Sequence, residues 1–147
     1  MGGGDHEGLL VTDLARFVAA QDPVIDRALA ELRAGRKHSH WMWFIFPQIA
    51  GLGRSDMARR YALASLEEAR AYLAHAILGP RLEACTRAAL SVEDRSASDI
   101  FGFPDDLKFR SSMTLFAHAA PDNDLFRAAL EKYFGSEEDK ATLERLV

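Results

Sequence analysis

Residues 36–55 read RKHSHWMWFIFPQIAGLGRS, and the fold class turns on whether the apolar middle of this stretch is a strand or a helix. Aromatic and β-branched residues favour pleated surfaces, so WMWFIF has strand character. A strand needs a partner, however, and no other segment of the chain alternates apolar and polar residues. The spacing therefore predicts a helix from His40 to Phe46, ended by Pro47, whose predecessor is biased away from helical angles. Trp41, Phe44 and Ile45 share one face of it, and Trp43 and Phe46 share another. A helix that is apolar all round belongs in the middle of a bundle.

Outward from this plug, the chain reads as helix after helix. A first helix is expected from about Asp13 to Ala20. Asp22 is expected to cap a second with Pro23 at its first position, and Gly35 to end it. Ser55 is expected to cap a short helix reaching about Leu63. Ser65 and Glu68 form a capping box for LEEARAYLAHA, and Gly79-Pro80 breaks and restarts the run. Leu82, Cys85 and Ala89 then face inward. Asp105 is expected to cap DLKFRSSMTLFAHAA. Pro121-Asp122 separates it from DNDLFRAALEKYF, which Gly135 ends, and Ser136 with Asp139 resembles a capping box for the last helix. The expected fold is all-α, a compact single-domain array of about seven short helices with a buried aromatic helix. Residues 1–12 are expected to be a flexible tail and 13–147 one helical domain.

The bulk composition agrees with this reading. A chain of 147 residues that is 48% hydrophobic and 27% charged can bury a core without a staple. A net charge of −4 argues against wrapping nucleic acid, even though Arg33, Arg36, Lys37, His38 and His40 form a local basic collar. The single cysteine, Cys85, fits a reducing compartment and an inert buried thiol. No apolar run approaches the ~20 residues that span a bilayer. MGGGDHEG lacks the features of a secretory signal, so the cytoplasm is the expected location. No cofactor signature is present. His38 and His40, two apart, do not share a helix face, so no metal is expected either.

Two polar concentrations are candidates for chemistry. Around the plug stand Lys37, His40, Trp41 and Trp43 before, and Gln48, Arg54 and Ser55 after. GLGRS, residues 51–55, places glycines and an arginine ahead of a helix, a setting in which backbone N–H groups can meet an anion. The second concentration is IFGFPDDLKFRSSMTLF, residues 100–116. Here Lys108, Ser111 and Ser112 share a helix face, and Asp105 could orient the lysine or act as a base.

The strings HSHWMWFIFPQIAGLGRSDMARRYAL, LEEARAYLAHAILGPRL and IFGFPDDLKFRSSMTLF, with the segment from Phe126 to Leu143, resemble the bacterial family called domain of unknown function 1810. The likeness runs from about Leu14 to Leu146. It implies a small, stand-alone, mainly helical protein and supplies no activity and no catalytic residues. Some members carry the label calpastatin, but nothing in this chain supports protease inhibition.

The residue chemistry itself points first to a cleft formed by the 37–55 and 105–112 segments that binds a small anionic or nucleotide-like ligand. Trp41 or Trp43 would stack on a ring, while Lys37, Arg54, Ser55, Lys108, Ser111 and Ser112, with Gln48, would meet its polar groups. If the protein is a hydrolase or transferase acting on a nucleotide derivative, His40 and Asp105 are the acid/base candidates. The alternative is a non-catalytic helical module that binds a protein partner in a groove between helices.

Overall fold

Ser65 shows how locally the helices are specified. Its Oγ accepts the Glu68 amide at 3.1 Å, and the Glu68 carboxylate accepts the Ala64 amide at 2.7 Å, so two amides at the start of the helix find partners. The computed structural model describes residues 13–146, within which ten helical segments follow one another. They are α1 (Ala15–Gln21), α2 (Ile25–Arg33), α3 (Met42–Ile45), α4 (Asp56–Arg60) and α5 (Leu66–Ala74). Next come α6 (Leu78–Leu90), α7 (Ala97–Phe101), α8 (Asp105–Ala119), α9 (Leu125–Phe134) and α10 (Lys140–Leu146). The fold is all-α and compact. One isolated parallel bridge, Ile49 to Leu63, is the extent of β pairing among the described residues. The expected tail of residues 1–12 lies outside them.

The centre is α8. Phe109, Met113, Leu115, Phe116 and Ala117 are fully buried, and the helix packs against α5, α7, α9 and α10. Phe109 touches aromatic rings on several sides: Phe101 stacked at 4.6 Å, Phe46 edge-on at 5.0 Å and Tyr133 at 6.3 Å. Such pairs add modestly to the area they bury. Gln21 is also buried and donates to the Phe44 carbonyl at 2.8 Å and the Tyr72 hydroxyl at 2.9 Å. That amide ties α1, α3 and α5 together with its polar atoms satisfied.

The aromatic helix is present and buried, but shorter than its sequence suggests. Only Met42–Ile45 is helical, and Trp41 stands at its cap with φ −126°. Several expected caps also differ. Asp22 has φ −48° and ψ −48°, a helical geometry that an N-cap does not have; it closes α1 and pairs with Arg81 at 2.9 Å. Asp105 is the first residue of α8, with Pro104 at the cap, because its carboxylate is drawn to two lysines instead. Ser136 has a left-handed φ of 68°, so Asp139 caps the last helix alone, accepting from the Thr142 amide at 3.0 Å. Gly79-Pro80 does not interrupt α6 but lies in its first turn, where proline loses no hydrogen bond. Gly79 has a packing reason: a Cβ there would lie 2.1 Å from the Leu73 carbonyl oxygen. The helix α7 has no counterpart in the sequence reading, although Ser96 and Asp99 form a complete capping box before it.

Cys85 is 1% exposed, and burial pushes its thiol up to about 12 against the opposing pull of Arg33 and Arg81. It is a packed core thiol.

Candidate functional site

The backbone from His38 to Trp41 is irregular because it answers to a carboxylate rather than to helical periodicity. Glu31, on α2, accepts four hydrogen bonds. They come from the His38 amide at 2.8 Å, the Ser39 amide at 2.9 Å, the Ser39 hydroxyl at 2.6 Å and the Trp41 indole at 3.0 Å. Burial works to raise the pKa of Glu31, but these donors outweigh it and hold the carboxyl down to about 2. A carboxylate receiving several donors behaves this way. Just before this hub, the Lys37 amide donates to the Ile100 carbonyl at 2.7 Å, which sets the segment beside α7.

Lys37 then reaches across to α8. Its Nζ lies 2.9 Å from Asp105 Oδ2 and 5.2 Å from the centre of the Trp41 ring. Its side chain is only 8% exposed, so the pair is mostly withdrawn from water. One helical turn on, Lys108 Nζ lies 3.4 Å from Asp105 Oδ1 and 5.4 Å from the centre of the Trp43 ring. Asp105 is thus held between two ammonium groups, and each ammonium lies over an indole. The cluster carries one positive charge in excess.

Beside it runs an open groove of about 260 Å³. One wall is the loop after the aromatic helix, with Gln48, Leu52 and Gly53. Another is the first half of α8, with Pro104, Leu107, Lys108 and Ser111, and the third is the start of α10, with Asp139 and Ala141. Phe103 precedes this wall and is 78% exposed; Leu107, one turn on, is 41% exposed. Together with Ile77 they are the exposed large apolar side chains among the described residues.

The two segments singled out in the sequence therefore meet, through the Lys37–Asp105 pair and across the groove. Lys108, Gln48 and Ser111 line it; the Ser111 hydroxyl donates to the Leu107 carbonyl at 3.1 Å, which keeps its lone pairs free to accept. Trp43 is half-buried beneath Lys108. The other candidates are placed elsewhere or are already engaged. Trp41 is fully buried, with its N–H on Glu31, and presents no face to a ligand. Ser112 is fully buried and its Oγ has no partner. Ser55 serves as the cap of α4, accepting the Ala58 amide at 3.1 Å. His40 and Arg54 are exposed and do not line the groove. The space over the glycine loop is taken by the protein's own cation: a Cβ on Gly51 would lie 2.7 Å from the Arg145 guanidinium carbon. Among the described residues, no group of three His, Cys, Asp or Glu side chains is arranged to hold a metal ion.

Sequence reasoning missed Glu31, Phe103, Leu107, Leu52 and Asp139. Asp139 and Leu52 are far from α8 in sequence, so nothing local places them beside Lys108. Phe103 and Leu107 had a signal, since apolar residues at i and i+4 around a helix start raise the question of what they face.

Residues 11–146 match the family described as "Protein of unknown function (DUF1810)". The chain is also similar to the crystal structure, at 1.38 Å, of the conserved hypothetical protein Rv1873 from Mycobacterium tuberculosis. The two are 57% identical with a TM-score of 0.90, over 91% of this chain and 96% of that one. No curated protein matches the chain.

Proposed function

Because the chain belongs to the DUF1810 family, which supplies no activity to inherit, we propose a function from the groove's own chemistry: it is a binding site for a small organic anion. The observation that carries this reading is Lys108. Lys108 lines a groove together with Leu52, Leu107, Pro104 and Ala141, and the contact of its ammonium group with Asp105 is a long 3.4 Å. An anion entering the groove gains a charge-assisted contact while its apolar part covers the aliphatic wall. Sites for drug-sized ligands occupy ~300–1,000 Å³, so about 260 Å³ favours a molecule smaller than a nucleotide.

The chemistry supports binding more than turnover. Asp105 is committed to two lysines and His40 does not line the groove, so neither stands ready to move a proton at a ligand held by Lys108. The test is a thermal-shift series with small aliphatic and aromatic carboxylates and inorganic phosphate. It is run on the parent protein and on Lys108→Met. A ligand at about 100 times its Kd adds ~2.7 kcal/mol, and this gain should vanish in the variant. Stabilisation that persists unchanged in Lys108→Met would overturn the assignment.

A second reading rests on Phe103 and Leu107. Their exposure of 78% and 41% beside the groove suits an apolar side chain of a protein partner. The two readings part at Phe103→Ser, which should abolish partner docking yet leave binding of the smallest anions intact. A cytoplasmic location goes with either reading, supported by the single free thiol of Cys85.

A further inference from the structure

We infer that the ligand of this groove is a zwitterion, a small apolar α-amino acid, rather than a simple anion; the inference rests on the anion-binding reading above and adds a second charge to it. Two opposite charges line the same cavity, and each is incompletely paired. Lys108 faces an Asp105 whose other oxygen already belongs to Lys37 at 2.9 Å, and its own contact with that carboxylate is 3.4 Å.

Across the groove stands Asp139, whose side chain is 16% exposed. Its Oδ2 is occupied by the Thr142 amide at 3.0 Å and the Thr142 hydroxyl at 2.6 Å. Its Oδ1 has the Arg110 guanidinium at 3.8 Å, beyond hydrogen-bonding distance. The second oxygen of this groove-lining carboxylate is therefore within ion-pair range of Arg110 but receives no hydrogen bond among the described residues. A mono- or dianion would meet that charge as repulsion, whereas an ammonium group turns it into a contact. Ser111 also lines the wall, with its hydrogen committed to the Leu107 carbonyl, so towards a ligand it acts as an acceptor and suits an N–H donor as well. Leu52, Leu107, Pro104 and Ala141 supply the surface for an aliphatic side chain, and about 260 Å³ confines the occupant to this size.

The decisive experiment is calorimetric titration of the full chain with L-leucine and with 4-methylpentanoate, which keeps the carbon skeleton and carboxylate and lacks the amine. Each is repeated on Asp139→Asn and Lys108→Met, with circular dichroism as the check on folding. Asparagine caps a helix as well as aspartate does, so the first variant removes the charge and keeps the Thr142 contacts. Leucine should bind more tightly than 4-methylpentanoate and lose about tenfold or more in each variant, the scale of one charged hydrogen bond. Binding of 4-methylpentanoate should fall in Lys108→Met and hold or improve in Asp139→Asn. If the des-amino acid binds as well as leucine, and Asp139→Asn changes neither, the zwitterion is wrong while the anion site stands. If neither compound shows binding that depends on Lys108, both readings fall together.

Discussion

Lys37 and Asp105 add an ion pair to the ring contact of Phe46 with Phe109 between the aromatic segment and α8, Nζ to Oδ2 at 2.9 Å, with the lysine side chain 8% exposed. Opening a fully buried pair by removing one partner costs ~3–5 kcal/mol. Here the aspartate is 20% exposed and keeps Lys108 nearby. Lys37→Met should therefore cost about 1–2 kcal/mol in chemical denaturation, scaled down from that range. A double-mutant cycle with Asp105→Asn should show coupling of ~1 kcal/mol. Coupling indistinguishable from zero would mean that the pair does not hold the two segments together.

Glu31 makes stability depend on acid. Its folded pKa, about 2, lies below the ordinary 4.5, so the unfolded chain binds the proton more readily. The stabilisation is fully present above 4.5 and is lost as pH falls from there towards about 2. The group is partly solvated, so its effect is less than the full shift would give. Glu31→Gln should cost about 1–2 kcal/mol near neutral pH and flatten the slope of stability against pH in the acid range. An unchanged slope in urea titrations at successive pH values would count against the hub.

The two tryptophans should behave as opposites. Trp41→Phe removes a fully buried ring's volume and leaves Glu31 one donor short, which should cost about 2–3 kcal/mol. Trp43 is half-buried under Lys108, and Trp43→Phe should cost under ~1 kcal/mol. Ligand-induced fluorescence change should survive in the Trp41 variant and disappear in the Trp43 variant. The reverse pattern would move the ligand away from Lys108.

Gly79 and Gly135 separate crowding from backbone conformation. Gly79→Ala would drive a Cβ to 2.1 Å from the Leu73 oxygen and should cost about 3 kcal/mol or more. Gly135, at φ +60°, has nothing within 4 Å of such a Cβ, so Gly135→Ala should cost only ~1 kcal/mol for the left-handed conformation. Equal losses in thermal melts would contradict this division.

These residues also show what a sequence can disclose. Ser55 and Ser65 were legible as caps because a cap bonds an amide three residues on; chemistry and spacing are in the same short window. Ser96 and Asp99 follow the same rule and were legible in principle, though unread. Lys108 beside Asp105 could be inferred from helical spacing, i to i+3. The hub at Glu31 could not, because its donors sit seven to ten residues away across a turn, where no periodic pattern connects them. Burial decided the rest. Nothing in WMWFIF distinguishes Trp41, sealed in the core, from Trp43, which is half-buried beneath Lys108. That difference is made by α2 and α8, which supply Glu31 to one indole and Lys108 to the other. The groove's third wall is further out of reach, since Asp139 joins it only when the chain's last helix folds back over α8.

Cys85 gives the molecule a clock of its own. With one thiol in the whole chain, and that thiol 1% exposed with its pKa raised to about 12, a sulfhydryl reagent in neutral buffer must wait for α6 to open. The labelling rate then counts openings rather than reactions. Slowing of that rate by a bound ligand would report how firmly an occupied groove keeps the helices closed, with no probe added to the protein.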